Sequence, residues 1–212
     1  MIQSLCQLLK ECPAVIKESM VDMHVQIGDY IMCQGDEPAY AYFLISGQVQ
    51  VYHIAGNGIQ YLEYMYKDNE MFGEVEIIND REVLSFVKAV TDVCHLKRIS
   101  KVNFMEWMKL SKDFNDYVMY QLANKLYDAA LVSVVNILYP IKYRVMNYLK
   151  KQMEQGHHYI SKEQLLLAIG GKMRSLNRIL MGLVQEDIID YDHGMLKIKD
   201  MNKMLYEMEN YE

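Results

Sequence analysis

The stretch YFLISGQVQVYHIAGNGIQYLEYMY, residues 42–66, decides the fold of the first half of the chain. Gly47 interrupts its apolar start, and Val49 and Val51 then alternate with glutamines at the period of two that a half-buried strand requires. The tip GNG, residues 56–58, can reverse the chain, because Gly and Asn tolerate positive φ. The segment therefore predicts a β-hairpin.

Short strands of this kind extend over about residues 20–99, with clusters of turn formers between them such as QGDEPAY at residues 34–40. No helical pattern separates them, so this half of the chain is predicted to form an antiparallel barrel or sandwich. From about residue 100 the apolar period becomes helical. The chain is thus predicted to have a β half followed by an α-rich half.

A long helix without Pro or Gly is predicted over residues 111–138, and Pro140 ends it because proline lacks a backbone donor. One seam on this helix follows an a/d heptad register. Its members are Met119, Leu122, Leu126, Ala129 and Ser133. Periodicity alone leaves two interpretations open: a helix that pairs with a second copy, and an amphipathic helix that covers its own domain.

The last seventy residues carry the strongest functional pattern. Ser161 and Gln164 are spaced as a capping box, which begins a short helix that ends at Gly170-Gly171. A second helix over about residues 173–185 and a predicted two-stranded hairpin over 188–198 follow. This order is typical of a winged helix-turn-helix, although an αα-hairpin of a helical packing unit shares part of the pattern.

In a helix-turn-helix, the first residues of the second helix meet base edges in the major groove. The candidate DNA-binding residues here are Lys172, Met173, Arg174, Ser175, Asn177 and Arg178. Arginine can bond guanine bidentately and asparagine can read adenine, whereas lysine and serine suit phosphates. Base readout is predicted for Arg174 and Arg178, with a weaker contribution from Asn177, and phosphate contact for Lys172.

Charge is distributed unevenly along the chain. The 212 residues have a net charge of −6, which excludes a uniformly basic protein that coats DNA. Residues 140–182 nevertheless hold 8 basic and 2 acidic side chains. The predicted helix-turn-helix is therefore locally basic.

Other classes of protein are disfavoured by the sequence. No run approaches the roughly 18 apolar residues of a membrane span, and the N-terminus lacks the pattern of a secretory signal, so we expect a cytoplasmic protein without a membrane partner. No G-x-S-x-G, P-loop or H-E-x-x-H motif occurs, so we expect no enzyme.

Three motifs occur in a fixed order around the long helix. They are GDYIMCQGDEPAYAYFLISGQVQVY at residues 28–52, MFGEVEI at 71–77 and ISKEQLLLAIGGKMRSLNRILMGL at 160–183. With this combination the chain resembles the Crp/Fnr superfamily of bacterial transcription regulators, which includes the cyclic-AMP receptor protein and the fumarate–nitrate regulator. The resemblance covers about residues 20–200.

The resemblance implies an α+β fold in three parts. Residues 1–110 would form an antiparallel β-roll of the cyclic-nucleotide-binding type that senses a signal. Residues 111–139 would form the dimerisation helix, and residues 140–212 a winged helix-turn-helix that binds DNA. The implied partners are a second copy of the chain and double-stranded DNA with a palindromic operator, with RNA polymerase as a further candidate.

The candidate effector pocket departs from the family pattern. Its residues are Phe72, Gly73, Glu74, Val83 and Leu84. In family members that bind cyclic nucleotide, the Glu of F-G-E bonds the ribose and a following Arg-Ser or Arg-Thr pair binds the phosphate. Val83 and Leu84 stand where that pair is expected, so we predict no cyclic nucleotide, with Gly73 and Glu74 forming a turn and a backbone cap. Arg81, two residues upstream of Val83, is the alternative cation.

Four cysteines raise the question of a redox cofactor. The fumarate–nitrate regulator holds an iron–sulfur cluster with three closely spaced N-terminal cysteines and one in the roll. The cysteines here are Cys6, Cys12, Cys33 and Cys94, and they lack the closely spaced third member. We therefore expect no cluster and no metal site, while a disulfide or sulfenate switch between Cys6 and Cys12 stays open, as does the identity of any effector.

A rival function comes from another class of protein. Met173 and Arg174 stand where many relatives have Arg and Glu, so the chain could instead be a β-roll ligand or protein-interaction module that does not bind DNA. Binding to random duplex DNA at increasing salt would separate the two functions, since phosphate contacts weaken steeply with salt.

Overall fold

The structure, a computed structural model, describes residues 2–211. Two short helices, α1 (Leu5–Glu11) and α2 (Ala14–Glu18), precede the strands. The strands are β1 (Val21–Gln26), β2 (Tyr30–Met32), β3 (Tyr40–Ser46), β4 (Val49–Ile54), β5 (Gln60–Tyr66), β6 (Glu70–Phe72), β7 (Phe86–Ala89) and β8 (Val93–Ser100). A short helix, α3 (Glu74–Asn79), connects β6 to β7.

These strands form two four-stranded sheets in the orders β1-β8-β3-β6 and β2-β7-β4-β5. The pairings that join β8 to β1 and β3, and β7 to β2 and β4, are antiparallel. Buried residues from strands of both sheets, among them Leu44, Val49, Val87 and Leu96, form one hydrophobic cluster. The predicted antiparallel β-roll is confirmed.

The hairpin predicted from residues 42–66 joins β4 to β5. At its tip the Ala55 amide donates to the Ile59 carbonyl over 2.9 Å, and the Gly58 amide donates to the Ala55 carbonyl over 2.8 Å. Gly58 has a φ of +78°, the conformation for which the GNG sequence is suited.

Helices dominate the rest of the chain. They are α4 (Lys101–Leu110), α5 (Lys112–Leu138), α6 (Ile141–Glu154), α7 (Lys162–Ile169), α8 (Met173–Gln185) and α9 (Met201–Glu209). Two antiparallel strands, β9 (Ile189–Asp192) and β10 (Met195–Ile198), lie between α8 and α9. The α+β architecture with a C-terminal winged helix-turn-helix is confirmed, whereas α9 was not predicted.

The chain divides into two compact units, and the division falls within α5. The N-terminal unit contains residues up to His53 together with Glu63–Asp128, and the C-terminal unit contains Ile54–Leu62 and the residues from Ala129 onward. The tip of the β4–β5 hairpin thus groups with the C-terminal unit. Between residues 2 and 211, no helix has the length and apolar character that crossing a membrane requires.

Each unit has its own core. In the N-terminal unit, the rings of Trp107 and Phe114 stack with centroids 3.6 Å apart next to Phe43. In the C-terminal unit, buried leucines from α6, α7, α8 and β10 pack together. They are Leu149, Leu165, Leu176, Leu180, Leu183 and Leu196.

Candidate DNA-reading surface and effector pocket

The helix-turn-helix is built by α7, a glycine turn and α8. Ser161 caps α7 in the predicted capping box: its hydroxyl accepts from the Gln164 amide over 3.1 Å, and the Gln164 side chain accepts from the Ser161 amide over 3.0 Å. Gly170 ends α7 with a φ of +59°, and its amide donates to the Leu166 carbonyl. Lys172 then stands at the N-cap of α8.

The outer face of α8 carries free cations. Lys172, Arg174 and Arg178 are exposed, and none of them makes an ion pair with another residue in the described range 2–211. The opposite face, with Leu176, Leu180 and Leu183, is buried in the C-terminal core. This burial fixes the orientation of α8, so the three cations project from the side that a DNA groove could meet.

The other candidate DNA-binding residues are less exposed. Met173 packs partly against the C-terminal core, and Ser175 is half-buried. The Oδ1 atom of Asn177 is buried and has no hydrogen-bond partner among the described residues. The structure therefore places Asn177 at the edge of the exposed face, where its amide is only partly accessible to a base.

Two of the basic residues that make the sequence locally positive serve internal contacts. The Lys142 ammonium pairs with Glu186 at 3.0 Å and with Glu207 at 2.6 Å. Burial lowers the pKa of Lys142, but its hydrogen bonds to both carboxylates outweigh this and raise it. Arg144 donates to the Asn136 side chain over 3.0 Å. Fewer basic side chains are therefore free to contact DNA than the count of basic residues in 140–182 suggests.

The wing hairpin lies next to the start of α7. The Lys162 ammonium is 4.8 Å from the centre of the Tyr191 ring, a cation–π contact between the first residue of α7 and the wing. At the wing tip, Asp192 contacts His193 at 2.7 Å and Lys197 at 3.4 Å. The Lys162–Tyr191 contact joins the wing to α7, whereas the Asp192 contacts lie within the wing.

Helix α5 exposes most of the predicted seam. Met119, Leu126, Ala129 and Ser133 are exposed, and Leu122 packs partly against the N-terminal core. Further large apolar side chains are exposed along the same helix. They are Tyr120, Tyr127, Leu131, Val132, Val134, Ile137 and Leu138. Helix α5 therefore exposes many large apolar side chains.

In the roll, Phe72 and Gly73 have structural roles. The Phe72 ring is buried and stacks on Tyr42 with centroids 5.2 Å apart. Gly73 precedes α3 with a φ of +86°, and an added Cβ would lie 2.7 Å from the Tyr40 carbonyl oxygen. Only glycine fits this turn.

Glu74 is an internal ion-pair partner, not the backbone cap that the sequence led us to expect. Its side chain has no exposed surface, and its Oε1 atom is 2.5 Å from the Lys125 ammonium, which reaches it from α5. Lys125 also donates to the Met71 carbonyl over 2.9 Å and lies 4.6 Å from the centre of the Tyr66 ring. The Oε2 atom of Glu74 is buried without a partner among the residues described.

The residues at the expected Arg-Ser position point in different directions. Val83 is buried in the roll core, and its amide and carbonyl bond the backbone of Asp36 and Gly35. Leu84 is 61% exposed. The next residue, Ser85, is buried and donates to a Glu63 carboxylate oxygen over 2.6 Å.

These residues do not fit a cyclic nucleotide. A buried phosphate needs a cationic partner, since an uncompensated charge costs several kcal/mol. Lys125 contacts the interior here, and Glu74 already neutralises it. Val83 offers no polar group, and Arg81 is exposed.

Sequence reasoning missed Lys125 and Ser85. Lys125 lies on the long helix, 51 residues from Glu74, and no local pattern marks it as the partner. A weak signal existed for Ser85, which directly follows the two apolar residues at the expected phosphate-binding position.

The four cysteines are free thiols, and Cys12 and Cys94 are buried. Burial raises the pKa of the Cys12 thiol to about 11, although Lys17 opposes this. Exposed Cys6 donates to the Asn69 side chain over 2.6 Å. Among residues 2–211, no group of three or more His, Cys, Asp or Glu is arranged to hold a metal ion.

The sequence is similar to a known domain family and to one curated protein. Residues 22–111 match the family model of the cyclic nucleotide-binding domain. The chain is 32% identical over 120 residues to an uncharacterised protein of Haemophilus influenzae, an alignment that covers 57% of this chain and 88% of that protein.

Two solved structures show the same fold along nearly the whole chain. A protein of Eubacterium rectale assigned to the Crp/Fnr family of transcriptional regulators superposes with a TM-score of 0.80 at 18% identity, covering 95% of this chain and 97% of that one. The c-di-GMP responsive global regulator CLP of Xanthomonas campestris superposes with a TM-score of 0.77 at 16% identity, covering 89% of this chain and 100% of that one.

Proposed function

We propose that this chain is a sequence-specific DNA-binding transcription regulator of the Crp/Fnr type that acts as a homodimer in the cytoplasm, because residues 22–111 match the cyclic nucleotide-binding domain and the fold resembles that of a Crp/Fnr regulator. The observation that carries the proposal is the outer face of α8, where Lys172, Arg174 and Arg178 are exposed and make no ion pair with any of the residues 2–211. Residues 140–212 would bind DNA, residues 111–139 would pair with a second copy, and residues 1–110 would form the sensory domain.

Each of the three cations has a separate role in this proposal. Arg174 and Arg178 lie four residues apart on one helical face, so their guanidinium groups can meet neighbouring base pairs. Lys172, at the N-cap, is placed for a backbone phosphate. In a dimer the two copies of α8 would meet half-sites about one helical turn apart, which gives a palindromic operator.

The test begins with selection of a DNA site from a random pool, followed by fluorescence anisotropy. Arg174→Ala or Arg178→Ala should weaken binding to the selected site by about 1–3 kcal/mol and relax specificity at one position. Lys172→Ala should weaken binding to all sequences alike and flatten the salt dependence.

Arg81→Ala is the matched control, because it removes an exposed arginine of the N-terminal unit and should leave affinity unchanged. If both α8 arginine variants still bind the selected site with full affinity and specificity, base readout by Arg174 and Arg178 is contradicted. Absence of salt-dependent binding to any duplex would favour the rival function, a protein- or ligand-binding module.

We also propose that the roll binds no cyclic nucleotide and that the Glu74–Lys125 pair takes the place of a ligand contact. Supporting observations are the neutralised Lys125 and the aliphatic Val83. Titration calorimetry with cyclic AMP and cyclic GMP should give no binding heat, and saturable binding of either would contradict the proposal. Native mass spectrometry of protein purified without air would reveal any other effector, including an iron–sulfur cluster.

A further inference from the structure

The tip of the β4–β5 hairpin, residues 54–62, contacts the turn of the helix-turn-helix. The hairpin tip belongs to the C-terminal compact unit, although both of its strands are part of the β-roll. Its contact residue is Tyr61, which is half-buried. The proposed DNA-binding role does not by itself account for this contact.

The Tyr61 ring lies directly against Gly170. A Cβ added to Gly170 would be 2.9 Å from Cδ2 of Tyr61 and 3.4 Å from its Cβ. Real Cβ atoms do not approach other atoms so closely, so the ring occupies space that any residue other than glycine would fill. Gly170 also has a φ of +59°, which glycine adopts without strain.

The Tyr61 hydroxyl is held at the other end by a polar chain. The Asn136 side-chain amide donates to this hydroxyl over 3.1 Å, and the Asn136 carbonyl oxygen accepts from Arg144 over 3.0 Å. Asn136 belongs to the end of α5 and Arg144 to α6. Tyr61 therefore makes two kinds of contact at once, an aromatic one with the turn and a hydrogen bond with the end of the long helix.

The contact lies where DNA would have to approach. In a docked helix-turn-helix the first helix crosses the phosphate backbone and the second enters the groove, so the turn between them lies at the DNA surface. Gly170 is two residues before Lys172 and four before Arg174. In such a complex, a ring packed on this turn would compete with the DNA backbone for the same space.

We propose that the hairpin tip is an autoinhibitory contact, in which Tyr61 packs on the helix-turn-helix turn and must leave it before DNA can bind. The inference rests on the proposed DNA-binding function and adds a regulatory step to it. When the binding-competent state is only a fraction of the population, the apparent affinity falls by that fraction. In this scheme, a signal received by the roll acts by withdrawing the hairpin tip.

Three variants test the contact in fluorescence anisotropy with the selected DNA site. Tyr61→Ala removes ring and hydroxyl and should tighten DNA binding about tenfold, which equals about 1.4 kcal/mol. Tyr61→Phe keeps the ring but loses the Asn136 bond, so it should tighten binding about two- to threefold. Tyr206→Ala removes an exposed tyrosine from α9 and is the matched control that should change nothing.

A second measurement needs no DNA. The Gly170 amide donates to the Leu166 carbonyl at the end of α7, and hydrogen exchange at this amide should become faster in Tyr61→Ala if the ring holds the turn. Unchanged exchange, or DNA affinity that is unchanged or weaker in Tyr61→Ala, would overturn the inference. If the autoinhibitory contact is overturned but the wild-type protein binds DNA, the proposed DNA-binding function stands. If neither the wild-type protein nor any variant binds duplex DNA, the proposed function and the autoinhibitory contact are both contradicted.

Discussion

We expect Lys125→Met to lower the free energy of unfolding by about 3–5 kcal/mol, because it leaves the Glu74 carboxylate buried without a counter-ion. The magnitude follows from the geometry: the Glu74 side chain has no exposed surface, Lys125 is 19% exposed, and the second carboxylate oxygen has no other partner among the described residues. For a chain of this size, each kcal/mol corresponds to about 2–4 °C in Tm. The variant should therefore melt roughly 6–20 °C lower.

A double-mutant cycle separates the interaction free energy of Glu74 and Lys125 from the effect that each substitution has by itself on stability. Glu74→Gln keeps the shape of the side chain and removes its charge. The double variant Glu74→Gln/Lys125→Met should be more stable than Lys125→Met alone, since replacing both partners of a buried pair often costs little. Urea unfolding at neutral pH gives the four free energies, and unchanged m-values would show that unfolding exposes the same surface in each.

The matched control is the exposed pair between Lys112 and Asp116 on the same helix. Lys112→Met, Asp116→Asn and their combination should show no measurable coupling, because exposed ion pairs contribute little in water. Additive effects of the Glu74 and Lys125 substitutions would refute the reasoning, since two groups that share a buried contact cannot behave independently.

Three further predictions concern other parts of the molecule. Gly73→Ala should destabilise the protein by at least about 1–3 kcal/mol in urea unfolding, because the added Cβ meets the Tyr40 carbonyl at a φ of +86°. Leu126→Glu should convert a dimer to a monomer in sedimentation velocity, since this side chain is 73% exposed on the seam of α5, and an unchanged dimer would place the interface elsewhere. Burial, followed by the charge of Glu74, raises the pKa of the Glu76 carboxyl, so its stabilising contribution is lost as pH rises through the folded-state pKa. Glu76→Gln should therefore raise the free energy of unfolding near pH 8, and the gain should disappear near pH 4.

The features predicted correctly from sequence are those that a few adjacent residues determine. The GNG tip predicts the β4–β5 hairpin because its positive φ at Gly58 is a local property of the turn. Ser161 and Gln164 predict the start of α7 because both bonds of a capping box lie within one helical turn. Such interactions depend on spacing along the chain and need no knowledge of tertiary contacts.

Contacts between distant residues could not be predicted in this way. Tyr61 and Gly170 lie in different motifs, and each has a sufficient local explanation, one as a strand residue and the other as a helix terminator. Lys142 and Arg144 add to the positive charge of the sequence around the helix-turn-helix, but tertiary contacts direct them to Glu186, Glu207 and Asn136. Counting charges along the chain therefore overestimates the cationic surface available to DNA.

Glu74 shows why a conserved-looking motif does not by itself indicate a ligand. The F-G-E motif suggests a ribose contact when it is considered alone, yet a carboxylate with no exposed surface requires only some partner of opposite charge. Lys125 supplies that partner from α5, and it also bonds the Met71 carbonyl next to the motif. An intramolecular cation can therefore stabilise the same glutamate that a ligand would contact. The Glu74–Lys125 pair joins the roll to the middle of the long helix through this chain's own residues.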